Sequence, residues 1–202
     1  MKLSPADAKL FMSLMLPLQW YVNQQAQILP DIETFEEFCA TEVEDKIQVR
    51  DHLFSHLGLI DQFSKDNPND LDEESLSLIA GWKNFIRGDF FIERFLKKHS
   101  IFIDDFDNVY AVLGLTDAPA EFIDKRNLPL RIETILLPFK GKIVYDGFLR
   151  FYNVFFGSGI RSELKQSYLI AKDNGVILKT LEVPSNISNS KTAQQLAKSA
   201  VT

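Results

Sequence analysis

The chain has 202 residues, of which 46% are hydrophobic and 25% charged, an ordinary composition for a globular protein with one large or two small domains. No apolar run reaches the ~20 residues that a membrane span needs, and the single cysteine, Cys39, excludes an internal disulfide, so we expect a cytoplasmic protein. Residues 1–88 carry 15 Asp and Glu against 7 Lys and Arg, which argues against binding of a phosphate backbone by this half.

A first helix is predicted to begin at Ser4, whose hydroxyl can cap the free backbone N–H groups of the first turn. Apolar residues then recur at helical spacing from Leu10 to Val22. Pro17 lies inside this pattern and lacks a backbone donor, so the sequence predicts a kink or a break there.

Two further helices are predicted in the acidic half. Thr34 begins a capping box, and one apolar face continues from there to Leu57, which predicts a single long helix. Residues 61–72 are polar and predict a loop. Asp72 can cap a third helix that ends at Gly88, so we expect three antiparallel helices.

In the second half of the chain, the apolar period changes from that of a helix to the two-residue alternation of a strand. Short strands are predicted at residues 90–96, 100–103 and 109–115. Between residues 128 and 160, the turn signals Lys140-Gly141 and Asp146-Gly147 separate three more strands, which we interpret as an antiparallel meander. Most linkers are too short for the crossovers that parallel strands need.

The expected fold is α+β, with an N-terminal three-helix segment packed on an antiparallel β-sheet or a small β-barrel. The expected division is a helical segment over 1–88, an antiparallel β domain over 89–183 and a polar C-terminal tail over 184–202. Residues 161–172 are open to two interpretations, a helix or one strand of a hairpin. The Asp-Asn-Gly turn at 173–175 favours the hairpin.

One stretch resembles known sequences. Residues 137–147, LPFKGKIVYDG, resemble a segment of uncharacterised bacterial proteins, some of which are grouped with regulatory or metal-motif-bearing chains. The resemblance implies no reaction. It implies no metal site either, because the metal motif of those chains needs several Cys and His close together and this sequence has one Cys.

Two histidines have a spacing that suits a metal ion. His52 and His56 lie four residues apart on the second predicted helix, so both rings can face one ion. The glutamate that zinc-protease helices carry between two such histidines is absent, and Cys39 has no histidine near it. We therefore expect no metal, no cofactor, and a buried, inert Cys39 thiol.

The Gly-Ser-Gly stretch at 157–159 can present backbone donors to an anion, with Arg161 beside it. It matches neither a P-loop nor a dinucleotide-binding fingerprint, and no Gly-x-Ser-x-Gly nucleophile motif is present. We interpret the stretch as a turn that leaves a strand, and no residue is assigned as catalytic. An enzyme would need a site assembled from scattered residues.

Basic residues are interleaved with aromatic residues between 131 and 165, a pattern that can stack and clamp single-stranded nucleic acid. The lack of a catalytic constellation and the 17 Phe residues favour instead a non-enzymatic adaptor or regulatory module that binds a protein partner. Nucleic-acid association is the alternative. The candidate interaction residues are Lys140, Lys142, Arg150, Phe155, Phe156 and Arg161.

The predicted meander leaves strand edges, which proteins cover, charge or pair. The Val-Phe-Phe stretch at 154–156 has no charged neighbour before Arg161. A homodimer across this edge is therefore one expectation. Cover of the edge by the helices or by the C-terminal tail is the competing one.

Overall fold

The computed structural model describes residues 1–181 and confirms the α+β class, with five α-helices before a six-stranded sheet. The α-helices of this part of the chain are α1 (Pro5–Ala26), α2 (Phe35–Ala40), α3 (Val43–Ser55), α4 (Gly58–Asp66), α5 (Glu73–Gly81), α6 (Pro119–Phe122) and α7 (Ser158–Asp173). The strands are β1 (Ile86–Phe95), β2 (Ser100–Asp104), β3 (Val109–Leu113), β4 (Leu130–Phe139), β5 (Lys142–Tyr145) and β6 (Arg150–Phe151). The predicted tail from residue 184 lies outside the described residues.

The single long helix predicted from Thr34 is divided into α2 and α3. Where α2 ends, the Thr41 hydroxyl donates a hydrogen bond to the carbonyl of Phe38 at 2.8 Å. The Lys46 ammonium, from the first turn of α3, donates to the carbonyls of Cys39 and Thr41 at 2.9 and 2.6 Å. These side chains satisfy carbonyls that have no helical partner, which stabilises the break.

A second expectation for the helical half was also wrong. The predicted loop at residues 61–72 begins as α4, because Ile60 and Phe63, one turn apart, are fully buried in the helical core. Of the kink or break expected at Pro17, the break does not occur, because α1 runs as one helix through that residue. The apolar residues on both sides of Pro17 are buried, so packing outweighs the one lost hydrogen bond.

The strand pairings close the sheet into a small barrel. β1 pairs with β2, β2 with β3, β3 with β5 and β5 with β4, and β4 returns to β1. Strands that alternate in direction around a ring of five must leave one parallel pair, because five is odd, and here it is β3 with β5. β4 reaches β1 through the connection that carries α6, which gives the order 4-1-2-3 of a Greek key.

The barrel organises three apolar clusters. Its interior includes Phe90 and Ile132. The helices pack on the outer face of β4 and β5, where the ring of Phe11 lies edge-on to that of Phe139 at 5.4 Å between centroids. α7 covers the outer face of β2 and β3. The helical half and the barrel therefore share a core rather than meeting through a polar linker.

Residues 161–172 lie within α7, so the favoured hairpin was wrong. One face of the helix is buried against β2 and β3 by Leu164, Tyr168 and Ala171. The Asp-Asn-Gly turn does follow, with Gly175 at φ +67°. The segment after it runs beside β3, where the Ala111 N–H donates to the Leu178 carbonyl at 2.8 Å. The turn thus joins a helix to an extended segment.

The predicted meander was also wrong in its last pairing, because β6 pairs with β4 and not with β5. After β5 ends, the Asp146 N–H donates to the carbonyl of Ile135 in β4 at 2.9 Å. The backbone therefore remains hydrogen-bonded to β4, and β5 and β6 lie one after the other along the same edge of β4. Gly147, at φ +100°, makes the step between them.

Gly147→Val is expected to lower the free energy of unfolding by roughly 1–2 kcal/mol, because a β-branched side chain is poorly tolerated at positive φ. Space is not the cause, since a Cβ there would meet only a Leu115 methyl, at 3.4 Å. Gly88→Val is the matched control, because Gly88 lies in β1 with no atom within 4 Å of the added Cβ. Equal urea midpoints for the two variants would contradict the strain argument.

Candidate functional site

The six candidate interaction residues separate into two groups. Lys140 and Lys142, at the turn between β4 and β5, lie 3.2 and 3.7 Å from the carboxylate of Asp7 in α1. They hold the first helix to the barrel. The other four surround the segment that leads from β6 to α7: Arg150, Phe155, Phe156 and Arg161.

β6 has an unpaired edge. The Tyr152 N–H donates to the Arg131 carbonyl of β4 at 3.0 Å. Successive backbone groups of a strand point to opposite edges, so the N–H and C=O of Phe151 point away from β4. Within residues 1–181, no strand pairs with that side of β6. The edge can therefore accept a strand from outside.

Large apolar side chains accompany this edge. Phe155 is 96% exposed and Phe151 48%, and Val154 and Ile160 are also exposed. Phe156 is half-buried, with its ring edge-on to that of Phe91 at 5.3 Å between centroids. Phe156 thus anchors the segment to the barrel. Phe155 projects into solvent, where the apolar surface of its ring stays in contact with water.

Polar contacts fix the outer face of β6. Arg150 is 77% exposed and donates to Glu133 of β4 at 3.2 Å. The Tyr152 hydroxyl donates to the Asp89 carboxylate of β1 at 2.9 Å, and Arg131 donates to the same carboxylate at 3.0 Å. Arg150 and Tyr152 therefore lie on one face of the strand, and Phe151 points to the other.

A buried carboxylate holds the turn before β6. Asp146, with its side chain 2% exposed, accepts hydrogen bonds from Arg50 of α3 and from the Phe148 N–H, each at 3.1 Å. The Thr134 hydroxyl donates to the Phe148 carbonyl at 2.7 Å. Burial raises the pKa of Asp146 to about 6, against the lowering effect of Arg50.

Sequence analysis missed two of these residues. Asp146 was interpreted only as a turn former, and Phe151 only as one aromatic residue of a strand. One signal was available for the ion pair, because Arg50 lies on the apolar face of its helix. A charged residue at such a position needs a buried partner.

The other predicted features have ordinary surroundings. The rings of His52 and His56 stack at 4.1 Å between centroids, and burial with the neighbouring ring lowers the pKa of His52. Among residues 1–181, no three His, Cys, Asp or Glu side chains are placed to hold a metal ion. Arg161 donates from Nε to the Phe156 carbonyl at 3.0 Å. Cys39 is partly exposed rather than buried as expected, and the desolvation that remains raises the pKa of its thiol.

A cleft of about 790 Å³ lies between the end of β1 and α6. Arg94 and Lys125 are the cations that line it. Arg94 is paired with Glu93, and its guanidinium carbon lies 3.9 Å from the centroid of the Tyr168 ring. These contacts hold Arg94 in place against α7 rather than aiming it into the cleft.

Neither a membrane-spanning helix nor a similarity to a known protein helps to interpret this site. No helix within residues 1–181 has the length and the apolar character that crossing a membrane requires. No protein-family model, curated protein or solved structure matches this chain, so the site has to be interpreted from its own geometry.

Proposed function

We propose that the chain is a protein-interaction module that binds an extended segment of a partner by strand addition along the free edge of β6. The observation that carries the proposal is the outward-facing backbone of Phe151 beside the exposed ring of Phe155. In strand addition, main-chain hydrogen bonds provide affinity and alternate side chains provide specificity. Closed barrels have few edges, so an apolar one left open is a candidate for binding.

The two faces of β6 define the chemistry of the partner. On the face of Phe151, a partner strand contacts exposed aromatic surface, so apolar side chains of the partner on that face strengthen binding. On the other face, the partner strand contacts Arg150, most of whose side chain is exposed, so a carboxylate of the partner on that face strengthens binding. The partner segment is therefore extended, with an apolar side chain on the face of Phe151 and, on the other face, a carboxylate or an aromatic ring that a guanidinium can contact.

A short labelled peptide of alternating valine and glutamate is the probe that tests this function. Phe151→Pro removes the outward N–H without disturbing the bonds to β4, because proline is tolerated at a strand edge whose N–H faces solvent. Phe151→Ala keeps that N–H and is the matched variant. Fluorescence anisotropy is expected to give a Kd about tenfold higher for Phe151→Pro than for Phe151→Ala.

A second form of the peptide, N-methylated at alternate residues, provides the control on the ligand. It has the same side chains but cannot form the ladder on one edge. Equal binding of the two peptides, or of the two variants, would show that the contact is not strand addition. The expected pattern is weaker binding by Phe151→Pro than by Phe151→Ala, and weaker binding of the methylated peptide than of the unmodified one.

Nucleic-acid binding is the second candidate; the barrel architecture supports it, and the position of α7 counts against it. A five-stranded Greek-key barrel is also the form of the oligonucleotide-binding fold, which binds its ligand on the face of strands 2 and 3. Here Leu164 and Tyr168 of α7 pack on that face, against Ile101 and Ile103. Fold alone does not assign function. Salt-sensitive retention on a polyanion resin, unchanged in Phe151→Pro, would favour this candidate over the first.

A further inference from the structure

We infer that the segment bound at the β6 edge is the β6 of a second copy of this chain, joined across a two-fold axis at Phe151. The inference rests on the proposed strand addition and names its partner. A two-fold interface uses the same patch twice, so the edge must complement itself. Three features of the edge satisfy this requirement: its hydrogen-bonding register, its charge and its apolar side chains.

The register follows from the backbone of β6. When two antiparallel copies meet with Phe151 opposite Phe151, each donates its N–H to the other's carbonyl, which is the hydrogen-bonded pair of an antiparallel ladder. Both groups of Phe151 that point away from β4 are then satisfied. The two phenyl rings lie side by side on the same face, a cross-strand aromatic pair.

The cation of the edge finds an aromatic partner in the same register. A pair centred on Phe151 sets Arg150 opposite the second copy's Tyr152, on the outer face of the sheet. The Tyr152 hydroxyl is bonded to Asp89 at 2.9 Å, and Arg131 already pairs with that carboxylate at 3.0 Å, so the guanidinium of Arg150 meets the aromatic ring rather than an unpaired carboxylate. Arg150 has only Glu133 as an ion-pair partner among the described residues, which leaves its exposed donors free for this contact.

The apolar residues extend the contact beyond the short strand. A two-residue strand alone cannot reach the area of about 1,000 Å² that a specific interface needs. Phe155, at 96% exposure, and Val154 lie directly after the paired segment and add buried area on both copies. The dimer therefore depends on Phe155 as well as on the backbone of Phe151.

Sedimentation equilibrium of the full chain tests the inference. The wild type is expected at twice its monomer mass of 23.1 kDa at high concentration. Phe151→Pro and Phe155→Ser are expected to raise the dimer dissociation constant by about tenfold or more. Phe122→Ser is the control, because Phe122 is also exposed but lies on α6, away from the edge. A monomer at every concentration, or a dimer weakened equally by Phe122→Ser, overturns the inference.

A cross-link tests the register. In a Cys39→Ser background, Phe151→Cys sets two thiols opposite each other at a Cα separation of about 5.5 Å, which a disulfide can span. Diamide is expected to convert this variant, but not Phe122→Cys, into a covalent dimer. A monomeric wild type that still binds the valine–glutamate peptide refutes the second copy as partner and leaves the proposed function standing. Absence of both interactions refutes both.

Discussion

Arg50→Met is expected to lower the free energy of unfolding by about 3–5 kcal/mol at about pH 8. Arg50, 9% exposed, donates to the Asp146 carboxylate at 3.1 Å, and that carboxylate is itself buried. Methionine keeps most of the length of the side chain and removes only the cation. The carboxylate then remains buried without its ion pair, which costs more than deleting both partners.

The loss of stability in Arg50→Met is expected to shrink as the pH falls. Burial raises the pKa of Asp146 from 3.8 to about 6 even beside Arg50, and removing the cation raises it further. Because this folded-state pKa lies above the unfolded-state value, the folded protein binds the proton more tightly. The stability that this tighter proton binding contributes is present in full below the unfolded-state pKa and is lost as the pH rises through the folded-state pKa. Urea unfolding at a series of pH values between about 5 and 8 measures it.

Two further variants control this experiment. Arg87→Met removes a cation that pairs with Asp51 and Glu133 at 3.2 and 3.4 Å but is partly exposed, so a change below about 1 kcal/mol is expected. Arg50→Met combined with Asp146→Leu removes both buried charges and is expected to recover most of the loss. A double variant no more stable than Arg50→Met would contradict the ion-pair explanation.

Gly114→Ala is expected to cost about 3 kcal/mol or more, at or above the upper end of ordinary overpacking. A Cβ at this position would lie 2.0 Å from the Asp117 carbonyl oxygen and 3.0 Å from the Ala118 Cα. Both are backbone atoms, so no side-chain rotation relieves the clash. The backbone of Gly114 is itself held, because it bonds to Met1 and Leu3 at 3.1 and 3.0 Å.

Gly88→Ala is the matched control for Gly114→Ala. No atom lies within 4 Å of a Cβ added at Gly88, and its position in β1 tolerates a side chain. Alanine there is expected to leave stability unchanged or to raise it by about 0.5–1 kcal/mol, because it restricts the unfolded chain. Thermal and urea midpoints should separate the two variants clearly. Similar losses in both would mean that close backbone approach is not what Gly114 provides.

Local signals in the sequence were sufficient for the helix starts. Ser4 and Asp72 accept hydrogen bonds from the backbone three residues on, at 3.1 and 2.8 Å, and Thr34 forms its capping box. The change from helical to alternating periodicity located the start of the sheet to within a few residues; the third helix was predicted to end at Gly88, but α5 ends at Gly81 and β1 begins at Ile86. These features depend on residues a few positions apart, so the sequence contains their full explanation.

Part of the candidate site was also readable from the sequence. The stretch at 154–156 was predicted as part of an apolar edge strand; it lies after β6, which ends at Phe151, but Phe155 is almost fully exposed. Arg150 and Phe156 lie beside it, as the aromatic and basic pattern indicated. The turn lysines Lys140 and Lys142 lie elsewhere. They form ion pairs with Asp7 of α1, and no local sequence pattern predicts that Asp7 is near them.

The sequence by itself determined the α+β class, the helix caps, the turn at Gly175 and an apolar segment before α7. Only the tertiary structure decided that β6 joins β4, that residues 161–172 form a helix, and that Asp146 is buried against Arg50. Turn chemistry fixes where a chain reverses but not which strand it meets next. Here the ring of five strands occupied both edges of β5, and the apolar outer face of β2 and β3 was left for α7 to cover. Among residues 1–181, β6 is thereby left with β4 as its one strand neighbour and with its other edge unpaired.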